Sequence, residues 1–240
     1  MNNKLVSIVI PAKDEEETLP LVLKDLFNTI KNIQEYSFEV IVVNDHSKDK
    51  TVEVASSFDN VKVVNNTRSA GKGHALITGF ENSIGDYIIM LDADYSHRPE
   101  DIPVFLSLLE RGYGLVVGSR ITGGSEEYVL IRAFGNIVLT IFFWLVTGVF
   151  LTDALNGYKA FRREIFTNHK YTSRDFEIEI ELLINTLIDG YKIGEIPSHE
   201  RARAGGKMKS KVFKHGIKFF WKILTKGIKY RLMKILKKKH

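Results

Sequence analysis

The feature that most constrains this chain is a repeated order: a short run of Val, Ile and Leu, a polar turn, then a segment of helical patterning. Runs of strand type occupy residues 5–10 (Leu-Val-Ser-Ile-Val-Ile), 38–43, 61–64, 87–91 and 114–118, with helical segments between them. Parallel neighbours in a sheet need a crossover of about a dozen residues, and a helix supplies it. The order therefore predicts an α/β domain: a mostly parallel central sheet with helices on both faces, of Rossmann-like type. Beyond it the sequence predicts an apolar helix over 133–151, a strand and turn over 152–163 returning to the same core, a helix over 173–189 and a strand over 191–196 closed by Pro197.

Open sheets of this kind bind ligands past the C-terminal ends of their strands, so the turns carry the candidates. The first delivers Pro11, Ala12 and the acidic run Asp14 to Glu17; the second delivers Asn44, Asp45, His46 and Ser47. Those acids also read as first-turn charges of the following helix, and Asp45 as a turn aspartate. The fourth ends in Asp92-Ala93-Asp94-Tyr95-Ser96-His97-Arg98-Pro99. Carboxylates this close repel unless they are solvated or a positive charge sits between them. Mg²⁺ or Mn²⁺ carrying a diphosphate suits the pair, because hard cations take one or two carboxylates together with substrate phosphates. Gly71-Lys72-Gly73 lacks Walker A spacing, and the first turn lacks G-x-G-x-x-G, which argues against a P-loop ATPase and a dinucleotide enzyme. Lys72 or the amides beside it still have access to a phosphate.

Charge divides the chain. Residues 1–200 carry 19 Lys and Arg against all 29 Asp and Glu, whereas residues 201–240 carry the other 15 basic residues and no acid. From about Ser210 the sequence reads as one amphipathic helix, with Phe213, Ile217, Phe220, Leu224, Ile228 and Ile235 on one face and Lys211, Lys214, Lys218, Lys222, Lys226 and Lys229 largely opposite. That pattern suits an interfacial helix whose lysines meet an anionic membrane surface, which gives boundaries at 1–209 and 210–240 and a peripheral place on the cytoplasmic face of the membrane. Nothing in the sequence resembles a nucleic-acid-binding module. Ala133 to Thr152 holds no charged residue. A single crossing there would leave the halves of one sheet on opposite sides of the bilayer, so it reads as a helix, broken near Gly148, lying on the globule or dipping into the membrane surface. Absence of cysteine excludes disulfides and thiolate metal sites, and the N-terminus lacks the apolar length of a signal peptide.

The ordered set Val9-Ile10-Pro11-Ala12-Lys13-Asp14-Glu15-Glu16, Val43-Asn44-Asp45-His46-Ser47, Asp92-Ala93-Asp94, Gly118-Ser119-Arg120, Asp153-Ala154-Leu155-Asn156-Gly157-Tyr158-Lys159-Ala160-Phe161 and Glu195-Ile196-Pro197 resembles the inverting nucleotide-sugar glycosyltransferases of the A-type fold, glycosyltransferase family 2. Within that family it is most similar to the polyprenyl-phosphate and dolichyl-phosphate sugar synthases, and the resemblance runs to about residue 209. It implies transfer of a hexose from GDP-mannose or UDP-glucose to a polyprenyl or dolichyl phosphate, with Mg²⁺ or Mn²⁺. By the same resemblance Pro11, Ala12, Asp14, Glu16, Asp45 and Asp92 bind the nucleotide and Asp94, with Asp92, holds the metal. Arg120, Arg132 and Arg203, with Lys207 or Lys209, hold the acceptor phosphate, and the apolar 133–151 segment guides its chain. The chain departs from the family pattern at Asn44, Ser96 and Met208. Two alternatives stand beside this reading: a transferase to a sugar hydroxyl, with Asp153 as base, and a non-enzymatic lipid-surface protein that retains the fold.

Overall fold

The computed structural model describes residues 3–127, 130–205 and 212–237, the side chains of 212–214 and 237 excepted. Its strands are β1 (Lys4–Ala12), β2 (Tyr36–Asn44), β3 (Val61–Asn65), β4 (Tyr87–Met90), β5 (Leu115–Ser119), β6 (Lys159–Arg162) and β7 (Ile193–Pro197). The helices are α1 (Leu19–Ile30), α2 (Thr51–Ser56), α3 (Lys72–Glu81), α4 (Ile102–Glu110), α5 (Arg120–Gly123), α6 (Leu130–Thr147), α7 (Arg163–Thr167), α8 (Ile178–Ile188) and α9 (Val212–Lys237). The strands form one sheet in the order β3-β2-β1-β4-β6-β5-β7, parallel except at the two pairings of β6.

Alternation along β1 explains the layers. Val6, Ile8 and Ile10 enter a core with α1, α2 and α4, while Val9 enters the opposite core with α3, α6, α8 and α9. A sheet covered on both faces needs apolar side chains in both directions, so its strands read as nearly continuous apolar runs. β1 pairs with β2 on one side and β4 on the other, so the chain changes direction across the sheet there. The turns after these three strands consequently open into one crevice.

Three expectations need correction. The segment 152–163 does return to the core, but as an antiparallel strand inserted between β4 and β5, with Ile88 opposite Phe161 and Val116 opposite Ala160. Its pattern is broken by Lys159, fully buried, whose Nζ donates to the carbonyls of Ala154 (3.2 Å) and Asn156. The helix expected from 173 begins at Ile178; residues 173–177 are a loop turned back by Glu177, which accepts from the amides of Arg174 (3.1 Å) and Asp175 (3.3 Å). Third, α9, expected to lie on a membrane surface, packs on the domain by a face the sequence reading did not single out. Phe219, Ile223 and Tyr230 enter the core, whereas Ile217, Phe220, Ile228 and Ile235 are exposed. Lys218 turns toward the domain onto the partly exposed Asp175, and Lys222 and Lys226 onto Glu181, a buried acid that needs cations. These lysines are therefore not free to meet headgroups.

α6 packs beside α9, with the Phe142 and Phe220 rings 4.7 Å apart. It stops at Gly148, whose φ of 77° is the left-handed value that ends helices, and Arg231 of α9 donates to the terminal carbonyls of Val146 (2.7 Å) and Leu145 (3.2 Å). Among the described residues α6 is the one helix long and apolar enough to cross a membrane, with 17% of it buried.

Candidate active site

The crevice is lined first by two loops that clamp each other. Asp14 Oδ1 accepts from the Lys48 amide (2.7 Å) and Glu16 Oε2 from the Lys50 amide (2.8 Å), while Ser47 Oγ accepts from Asp14 N (3.1 Å) and Asp49 Oδ2 from Glu16 N (3.0 Å). The acidic run thus stitches the turn after β1 to the turn after β2, and the first turn of α1 holds no acid. Pro11 and Ala12 end β1 beside this clamp, where the Asp45 amide donates to Ala12 O (2.8 Å). Asp45 is buried and faces inward, accepting from Gly71 N (2.9 Å) and Asn66 Nδ2 (2.7 Å). It anchors the loop that carries Lys72. The described non-glycine residues with positive φ are Asp14 (49°), His46 (60°) and Tyr95 (70°), one in each turn after β1, β2 and β4. Such strained positions concentrate where a fold presents a site.

At the floor, Lys72 Nζ lies 2.8 Å from Asp92 and 3.2 Å from Glu179. Burial pushes the Asp92 carboxyl up, but Lys72 outweighs it and holds the group at about 2. Asp92 N donates to His97 Nδ1 (3.1 Å), which leaves the His97 proton on Nε2, 3.9 Å from the Asp92 carboxylate. A Cβ at Gly157 would stand 2.7 Å from Lys72 Nζ and 3.3 Å from Asp92 Oδ2, so a side chain there would displace the Lys72 amine. Asp94 is oriented by Ser96, whose amide (3.1 Å) and hydroxyl (2.6 Å) donate to Oδ1. Its Oδ2 faces Arg203 Nε at 3.2 Å.

The basic side is built from three arginines. Arg120 is clamped on the fully buried Asp153 by Nε (2.7 Å) and a terminal nitrogen (2.9 Å), and Asn136 donates to the same carboxylate (2.7 Å). Burial pushes the Asp153 carboxyl up, but Arg120 outweighs it and holds the group low. Both oxygens accept in this arrangement, so Asp153 stands here as the counter-ion of Arg120, and the base role considered from sequence would require Arg120 to release one of them. Arg203 also meets Glu127 (3.3 Å). Arg132 is half-buried and forms no ion pair or hydrogen bond among the described residues; burial and repulsion from Arg203 lower its pKa against the opposing attraction of Glu127 and Glu200. Lys207 and Lys209 lie outside the described residues.

The acidic and basic sides therefore meet, at the contact of Asp94 with Arg203. Sequence reasoning missed Glu179, His97, Glu127 and Glu200, the last placed 3.4 Å from Arg120. The signal for Glu179 was the series Glu177, Glu179, Glu181: it splits three ways, to the Arg174 turn, to Lys72 and to α9. A divalent cation at Asp94 would take Oδ2 in place of Arg203, since Oδ1 is held by Ser96. Among the described residues no group of three or more metal-ligating side chains cages an ion, so diphosphate and water oxygens would complete its shell.

The glycosyl transferase family 2 model matches residues 7–169, more than half of the chain. The chain is 32% identical over 216 residues to a dolichol-phosphate mannosyltransferase of Pyrococcus furiosus, covering 86% of this chain and 59% of that protein. It is 32% identical over 222 residues to the dolichyl-phosphate beta-glucosyltransferase ALG5A of Trichomonas vaginalis, covering 85% and 68%. Among solved structures it is similar to glucosyl-3-phosphoglycerate synthase of Mycobacterium tuberculosis, with a TM-score of 0.73, 21% identity and coverage of 93% of this chain and 78% of that one. That enzyme was solved with Mn²⁺, uridine diphosphate and phosphoglyceric acid, and in another crystal with UDP-glucose. This corrects the partner expected from sequence: on the shared fold the molecules seen are UDP, UDP-glucose and phosphoglyceric acid, and not a polyprenyl or dolichyl phosphate. The chain belongs to glycosyl transferase family 2 and is a glycosyltransferase.

Proposed function

We propose that the enzyme transfers a hexose, with inversion, from a nucleotide sugar to a hydroxyl of an acceptor that also carries a phosphate or carboxylate. The acceptor oxygen bonds the anomeric carbon as the bond to the diphosphate breaks, and the hydroxyl proton passes to Asp153 as Arg120 turns from that aspartate to the acceptor's anion. The observation that carries the reading is Arg132, a half-buried guanidinium whose charge burial and Arg203 disfavour more than Glu127 and Glu200 favour it, and which makes no ion pair or hydrogen bond among the described residues. Such a group is relieved by an anion, and a guanidinium grips phosphate or carboxylate through paired N–H donors. Arg120 and Arg203 border the same space, and fixing the anion sets the line on which the acceptor oxygen approaches the anomeric carbon.

On the donor side, Asp14, Glu16, Pro11 and Ala12 shape the nucleotide pocket through the two clamped turns. Asp45 acts by fixing Gly71, and Lys72 with Asp92 forms the floor. Mg²⁺ or Mn²⁺, when bound at Asp94, offsets charge on the departing diphosphate. The exposed apolar surface of α6 and α9 supports peripheral contact with a membrane.

The test is a matrix of UDP-glucose and GDP-mannose against 3-phosphoglycerate and glycerol, with Mn²⁺. Transfer to the phosphorylated acceptor is expected. Arg132→Ala should raise the acceptor KM by about tenfold or more, the loss of a charge-assisted contact, and the donor KM far less. Equal use of glycerol by the unaltered enzyme would sink the anionic acceptor.

A further inference from the structure

Glu181 on α8 is fully buried. Its Oε2 accepts from the amides of Thr172 (3.2 Å) and Ser173 (3.1 Å) and from the Ser173 hydroxyl (2.5 Å). Its cations among the described residues both come from α9: Lys226 Nζ at 2.9 Å and Lys222 Nζ at 3.4 Å. Burial pushes this carboxyl up, but Ser173 and the two lysines outweigh burial and keep it low. Asp175 meets Lys218 of the same helix. Between them Phe176 sits with its ring 4.9 Å from His215 of α9 and 5.2 Å from Lys72 Nζ.

Every one of these contacts falls on residues 172–177 or on the carboxylate that ties them down. The other side of that loop is pressed against the turn bearing Lys72. Arg174 O accepts from His74 N (3.1 Å) and Arg174 Nε donates to Ala70 O (3.0 Å). A Cβ at Gly71 would stand 2.5 Å from Arg174 O, and one at Gly73 2.5 Å from Ser173 O. With no slack between the two loops, displacement of one displaces the other, and Lys72 with it.

We propose that α9 is a positioning element of the cleft: Lys222 and Lys226 neutralise Glu181 and so hold the 172–177 loop against Gly71-Lys72-Gly73, which keeps Lys72 on Asp92 and Glu179. The helix that the sequence set apart as a separate end segment thereby belongs to the catalytic unit. This does not depend on which donor or acceptor is used.

Removing both cations strands a buried charge, whereas replacing Glu181 by glutamine removes the need for them. Hydrogen exchange on the full chain without substrate reads the loop directly. In K222M/K226M, peptides covering 69–76 and 172–177 should exchange about tenfold faster or more, and hydrolysis or transfer of whichever of UDP-glucose and GDP-mannose the unaltered enzyme turns over should fall. Adding Glu181→Gln should restore protection and turnover together. Ile223→Ala, which opens the same helix interface without touching an ion pair, should lower Tm with little change at 69–76. Unchanged exchange at 69–76 in K222M/K226M, absence of rescue by Glu181→Gln, or an equal rise in Ile223→Ala would overturn the proposal.

Discussion

Lys72 bridges two carboxylates, and Gly157 passes so close that a Cβ there would stand 2.7 Å from the lysine amine. Gly157→Ala should therefore push Lys72 off Asp92. Overpacking of this kind costs about 1–3 kcal/mol; turnover of the donor should fall by about tenfold or more while far-UV circular dichroism is preserved, and an active Gly157→Ala enzyme would count against the floor described for the cleft. Single residues were legible in proportion to how local their chemistry is. The close spacing of Asp92 and Asp94 is a weak signal by itself and gained its meaning from the ordered motifs around it. Asp45 was visible as an acid past a strand end and Asp153 only through the family motif, but their work is set by Gly71 and Arg120, 26 and 33 positions away in the chain, and no local pattern reports such partners. Glu179 was hidden for a related reason, since its neighbours on either side in the alternating acids face elsewhere.

At the scale of elements, the strand-helix alternation predicted most of the sheet because each strand is buried on both faces and must be apolar throughout. β6 escaped as an antiparallel pairing, being four residues long with a buried lysine in the first of them. α9 was legible as a helix but not in its orientation, because it is apolar on two faces and the deciding force is the pull of Glu181 and Asp175 on its lysines. What remains outside is a continuous apolar surface, including Leu130 (81% exposed), Phe134 (69%) and Leu145 (63%) on α6 and Trp221 (57%) and Leu232 (57%) on α9. A patch of that extent is unusual on a free-standing protein. F134D/L145D should abolish co-sedimentation with phospholipid vesicles and leave Tm nearly unchanged, since both side chains are already in water; undiminished vesicle binding would remove α6 from the contact.

For the whole molecule, the buried carboxylates set the acid limit of stability. Asp92 sits at about 2 in the fold against an ordinary 3.8, so the unfolded chain takes up its proton first as pH falls. A carboxyl depressed in this way contributes stability that is present above about pH 4 and lost as pH drops through about 2, here about 2 kcal/mol. Lys159 runs the other way: burial holds its amine at about 8 instead of 10.5, so its contribution to stability rises as pH climbs through that interval. Urea unfolding between pH 2 and pH 7 should show the acid loss shifted to higher pH in Lys72→Met, where His97 and Arg203 are left to oppose burial at Asp92; superimposable profiles would deny the pair its role. The antiparallel insertion of β6 adds a temporal consequence. During synthesis β4 and β5 leave the ribosome with the gap between them empty, and about forty residues must follow β5 before Lys159–Arg162 arrives to close it. Until then two bare strand edges face each other, so the nascent enzyme depends on delay, or on a chaperone, to keep them from recruiting another chain.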